Sequence, residues 1–135
     1  MGTIHRQSSA APNRSWGYPD LPLTDYRTDA SPGITKQVLI GATEGASDFI
    51  VRYFTIPPGG KSAFDQHEHQ HGVVITQGRG EVLLGTEWHS IAAGDSVFIG
   101  TNEIHQLAAS AAEPLCFICV IPRWAEAGAC AVANS

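Results

Sequence analysis

From Gln37 onward the chain is a succession of short runs rich in β-branched and aromatic residues, each closed by Gly, Pro or a polar pair, the pattern of strands separated by turns. The runs predict strands at 37–40, 48–56, 62–67, 73–76, 80–84, 87–91, 96–99, 105–108 and 115–121. Eight or nine short strands in close succession spell an all-β sandwich or barrel. The turns agree: Pro57-Pro58-Gly59-Gly60, Gln77-Gly78-Arg79-Gly80 and Ala93-Gly94-Asp95 each offer glycine for positive φ. No helical period of useful length interrupts the series, and no internal repeat is visible.

The ends read differently. Residues 1–33 are rich in Ser, Pro, Asn, Asp and Gly, with Trp16, Tyr18 and Tyr26 as the aromatics and no sustained period. This is an arm, expected to be unanchored over its first dozen residues and packed, in its second half, on its own barrel or on a neighbouring subunit. The barrel is expected over 34–123 and a tail over 124–135, where Trp124-Ala-Glu-Ala-Gly has room for one short helical turn.

At 135 residues one domain is the default, long enough to bury a core without disulfides or a structural metal. Charged residues make up only 16%, and the 14 glycines and 8 prolines favour turns over long helices. A formal charge of −5, with the eight Lys and Arg scattered singly, removes the electrostatic footprint that nucleic acid requires. No apolar run reaches the ~20 residues of a membrane span, and the first residues lack the apolar segment of a secretory signal, so a cytoplasmic protein is expected. Cys116, Cys119 and Cys130 are odd in number. The first two lie in an apolar run and read as buried, reduced side chains; their C-x-x-C spacing serves neither redox nor zinc chemistry, because strand residues three apart face opposite sides.

The candidate chemistry is in the histidines. His67, His69 and His71 alternate, and in an extended chain residues i and i+2 project from one face, so neighbours of this set point inward together. Imidazole is the commonest ligand for zinc, iron, nickel and copper. A further histidine, His105, follows a Gly-Asp turn on a later strand. The competing account, a solvated His-rich edge, carries less weight because of what flanks the cluster: a Pro-Pro-Gly-Gly turn before it and an apolar strand closed by glycine after it.

The stretch GKSAFDQHEHQHGVVITQG, from Gly60 to Gly78, resembles the first motif of the cupin superfamily, and GDSVFIGTNEIH, from Gly94 to His105, resembles the second. The resemblance runs from about Gln37 to Pro122 and implies a small single-domain, RmlC-like jelly roll: a double-stranded β-helix whose first-motif ligands meet His105 inside the barrel. Alignment on Gly78 leaves two ligand sets. One is Asp65, His67, His71 and His105, with His69 behind them; the other is His67, His69, His71 and His105. The all-histidine set is the one expected, because histidine outranks aspartate towards borderline metals.

A divalent transition metal is therefore expected, Fe(II) first, with Zn(II), Mn(II), Ni(II) or Cu(II) as alternatives. With iron, the resemblance to small cupin dioxygenases implies oxygenation of a small organic substrate. The alternative is a metal-dependent isomerase, lyase or decarboxylase on a sugar acid or oxo acid, or a barrel that binds a small ligand without turnover. Glu81, Glu87 and Glu103 are the carboxylates nearest the motifs, though no residue stands out as catalytic. Glu68, Gln70 and Gln106 are expected to turn outward, His89 to lie on the surface and His5 to take no part. Arg52 and Tyr53 occupy opposite faces of one strand, and an inward Arg52 would suit a carboxylate. A homodimer is expected from the exposed strand edges and the arm.

Overall fold

The computed structural model describes residues 2–7, 17–26 and 29–126. The strands are β1 (Thr24–Asp25), β2 (Thr35–Ile40), β3 (Phe49–Ile56), β4 (His71–Gln77), β5 (Arg79–Leu84), β6 (Glu87–Ala92), β7 (Ser96–Ile99), β8 (His105–Ala109) and β9 (Leu115–Pro122), with one 3-10 turn at Ala42–Glu44. They form two antiparallel sheets, a six-stranded one in the order β1-β2-β3-β9-β4-β7 and a three-stranded one in the order β6-β5-β8. This is the jelly-roll barrel expected of the sequence.

Alternation along the strands decides what lies inside. Ile50, Phe54 and Ile56 of β3, Phe117, Cys119 and Ile121 of β9, and Val73 and Ile75 of β4 share one face. They pack with Val82, Ile91, Ile99 and Leu107 into the main core. Each fully buried aliphatic or aromatic side chain of this kind contributes about 1.5–3 kcal/mol. Phe54 and Phe117, opposite each other in register, stack with centroids 5.2 Å apart. On the outer face, Leu39, Tyr53 and Cys116 form a second cluster, covered by Tyr18 and Leu21 of the arm. Cys116 and Cys119 thus face opposite sides and are both buried and reduced; Cys130 and Trp16 lie outside the described residues.

The arm docks on its own barrel. The Gln37 side chain accepts from Tyr18 N at 2.8 Å and donates to Tyr18 O at 2.6 Å and Leu21 O at 3.0 Å. The backbone of Gly17 approaches it so closely that a Cβ there would lie 2.6 Å from Gln37 Oε1. Strand β1 adds a short edge next to β2 that the runs did not predict, because two residues carry no periodicity. His5, expected to be unanchored, instead meets Glu44 with Nε2 2.7 Å from Oε2, tying the start of the chain to the 3-10 turn. The other correction is at 62–67: the segment is extended but makes only isolated bridges, Lys61 to Ala108 and Asp65 to His105, before β4 begins at His71. After β9, residues 123–126 are helical, and no described helix is long and apolar enough to cross a membrane.

Candidate metal centre

The segment before β4 keeps strict alternation although it lacks a strand ladder. Ala63, Asp65, His67, His69 and His71 are all 9% exposed or less, while Phe64, Gln66, Glu68 and Gln70 face solvent. An extended backbone alone suffices for that period. Two sets of bonds hold this segment against the second motif: Asp65 and His105 exchange backbone hydrogen bonds of 3.0 and 2.9 Å, and Asn102 N donates to His67 O at 2.6 Å. Gln66 Nε2 adds a bond to Asn102 O at 2.8 Å. The turn that carries Asn102, whose φ is 58°, is closed by Glu103, whose carboxylate accepts from Gly100 N at 2.8 Å.

These contacts bring the four histidine rings together. His67 lies 4.7 Å from His69, 5.4 Å from His71 and 5.2 Å from His105, centroid to centroid, and His71 lies 4.7 Å from His69 and 4.9 Å from His105. Ligand atoms of His67, His69 and His71 fall within 4.8 Å of one another, as do those of Asp65, His67 and His105. Asp65 Oδ2 is 3.6 Å from His67 Nε2.

The free nitrogens carry the chemical meaning. Nε2 of His67, His69 and His71 is buried without a hydrogen-bond partner. Two of the rings have the second nitrogen engaged: His105 Nδ1 donates to Glu103 O at 2.9 Å, which fixes its tautomer, and His71 Nδ1 lies 3.3 Å from Cys119 Sγ. The carbonyl partner leaves His105 Nε2 as a lone pair, as a metal-binding imidazole requires. Burial favours the neutral form of three of these rings. It lowers His69 to about 4 and His71 to about 2, with further lowering from neighbouring histidines and Arg52, and it lowers His105 as well. Neutral imidazoles with unpaired nitrogens fit a divalent transition metal, and the donor set suits iron, nickel, copper or zinc.

Around this centre lies a cavity of ≈ 30 Å³, bordered by Asp65, His71 and His105, by Arg52 and Cys119, and by an apolar wall that includes Ile34, Phe54, Val73 and Phe117. Tyr26 of the arm closes one end, edge-on to Phe54 at 5.2 Å. Of the two faces open to Arg52, the structure places it inside, 3% exposed, and Tyr53 outside against the arm. The other residues considered lie elsewhere. Glu81 and Glu87 are exposed on β5 and β6, the Glu103 side chain is spent on its turn, and His89 faces solvent. Gln106 is half-buried and donates to Ser62 O at 2.8 Å, bracing the segment before the cluster. Cys119 and Trp124 are neighbours of the centre that the sequence reading left in the core and in the tail. Parity with Ile121 could have placed Cys119 inside. Trp124, edge-on to His69 at 6.0 Å, gave no signal, because its position depends on where the chain turns after β9.

Comparison with known proteins agrees with this architecture. Residues 52–121 match the family described as Cupin_2, cupin domain. A 1-methylthio-D-xylulose 5-phosphate methylsulfurylase of Rhodospirillum rubrum is 35% identical over 107 residues, covering 77% of this chain and 67% of the relative. Among solved structures, a cupin-2 domain protein of Rhodospirillum rubrum superposes with a TM-score of 0.73 at 32% identity, over 89% of this chain and 77% of that one. A cupin 2 conserved barrel domain protein of Rhodopseudomonas palustris gives 0.72 at 28% identity, over 89% and 80%. With its two motifs in order, its jelly-roll barrel and a family match across more than half its length, the chain belongs to the cupin-domain family.

Proposed function

We propose that this cupin is a mononuclear metalloenzyme acting on a small carbonyl compound without dioxygen, with His67, His69, His71 and His105 holding the metal. One observation carries the reading: three imidazole Nε2 atoms are buried side by side with no hydrogen-bond partner. An unsatisfied buried polar group costs about 1–3 kcal/mol, and a shared cation removes that cost for all three together. The all-histidine set is preferred to the one with Asp65 because His69 Nε2 is among the unpartnered atoms.

A bound divalent metal supplies Lewis acidity towards a substrate oxygen. The chain's own residues do the rest. Glu103 O and Cys119 Sγ fix the orientation of His105 and His71. The wall of Ile34, Phe54, Val73 and Phe117 keeps water away, which strengthens electrostatic interactions inside. Asp65, the carboxylate bordering the cavity, would accept a proton from a carbon next to a carbonyl. The relative's name supports the alternative without dioxygen, since a 1-methylthio-ketose has C–H bonds beside its ketone that enolate formation at a Lewis-acidic centre would labilise. The test is anaerobic incubation of metal-loaded protein in D2O with 1-methylthio-D-xylulose 5-phosphate and a panel of 2-oxo acids, followed by proton NMR. Metal-dependent exchange of deuterium into the carbon beside the carbonyl without oxygen is expected; turnover that appears only with dioxygen would restore the dioxygenase reading.

A further inference from the structure

Arg52 is a buried charge of the barrel interior that a four-histidine metal site does not need. Its side chain is 3% exposed, and Nε is buried without a hydrogen-bond partner. Nη2 donates to Cys119 Sγ at 3.2 Å, and the guanidinium lies 5.0 Å from the centre of the Phe54 ring. Among the described residues no carboxylate stands within ion-pair distance of it. A buried cation with only a thiol and an aromatic face for company is strongly disfavoured unless something else supplies the opposite charge.

The position of Arg52 says what supplies it. Arg52 and Cys119 are partners in register on β3 and β9, and Val73 of β4 follows Cys119 in the same row, two residues from His71. Arg52 Nη2 and His71 Nδ1 each lie within 3.3 Å of the same sulfur, and Arg52, His71 and His105 border one cavity. A divalent metal on neutral imidazoles next to a guanidinium leaves the barrel centre with excess positive charge, against which the cavity offers Asp65 alone.

We infer that Arg52 anchors a carboxylate of the compound bound at the metal, so that the site takes a small 2-oxo or 2-hydroxy acid, or a short dicarboxylate, chelated through its oxygens. This rests on the metal reading above and narrows it. Guanidinium matches the planar carboxylate, and its unpartnered Nε–H is the donor that such a group would take up.

The test is binding rather than turnover. Full-length protein is loaded with Co(II), its metal content is checked by elemental mass spectrometry, and oxalate is titrated by calorimetry and by the visible Co(II) spectrum. Arg52→Met is expected to keep its metal and to weaken oxalate by at least about tenfold, while azide, which needs only the metal, changes by less than about threefold. Oxalate affinity within about tenfold of wild type in Arg52→Met would overturn the inference, as would inorganic phosphate competing as well as oxalate. Should Arg52→Met fail to fold, Arg52→Lys decides instead: it keeps the charge and loses the Nε donor, and a loss under about threefold would count against the carboxylate. Wild-type protein that takes up no Co(II) would remove the metal centre itself and this inference with it; a loaded wild type whose oxalate affinity ignores Arg52 removes the inference alone.

Discussion

Burial holds His69 to about 4 and His71 to about 2 and lowers His105 too, and this sets how the metal-free fold responds to acid. In the unfolded chain the same imidazoles take protons near pH 6.5. Below that value the unfolded state binds protons that the folded state refuses, so stability falls as pH drops from about 6.5 towards the folded values, and above about 7 these groups exert no pull. In chelator, the thermal midpoint at pH 5 is expected to lie at least about 5 °C below that at pH 7.5. His71→Leu removes one of the protonating groups and should lose part of that drop. Equal pH sensitivity in the variant and the wild type would contradict the assignment of neutral, buried rings.

At the same scale the sequence was informative where side-chain parity alone decides. The alternation of His67, His69 and His71 foretold their common face, and it turned Glu68 and Gln70 outward as observed. The same rule left Arg52 and Tyr53 undecided, because parity gives opposite faces without saying which is the inner one. Only the neighbours, Ile50 and Phe54 inside and the arm against Tyr53 outside, settle it.

At the scale of elements, eight of the expected runs appear as strands, while the stretch at 62–67 stays extended without a ladder. Its apolar and polar residues alternate as a strand's do, so period could not separate the two; hydrogen-bond partners do, and they were not visible in the chain. Turns were better marked. Gly78 joins β4 to β5 at φ 79°, and a Cβ there would lie 1.9 Å from the carbonyl oxygen of Pro114. Gly78→Ala therefore combines left-handed strain with a backbone clash and is expected to cost at least about 2 kcal/mol. Gly85, at φ 68° with open space around it, is the control, and Gly85→Asn should cost less than about 1 kcal/mol. Urea unfolding checks both: a lower midpoint at unchanged slope is expected for Gly78→Ala, and indistinguishable midpoints for the two variants would contradict the clash.

At the scale of the whole molecule, the two motifs fold towards each other because their segments are hydrogen-bonded directly, Asp65 with His105 and His67 with Asn102. A chain that brings these segments together brings the four histidines together as well. The order and spacing of the motifs made the fold legible before any coordinate. The depth of the arm's contact with the barrel was not, because Gln37 reads as an ordinary strand polar residue until its amide is seen holding Tyr18 and Leu21.

The central claim is that the barrel holds one metal ion on its histidines. Elemental mass spectrometry of untagged protein, wild type beside His71→Ala and His105→Ala, tests it most directly. The account predicts about one equivalent of a divalent transition metal in the wild type and, because each variant removes a whole ligand, at least about tenfold less in both. Wild-type protein that stays metal-free after reconstitution with Fe(II), Mn(II), Ni(II) and Zn(II), or variants that keep a full equivalent, would contradict it.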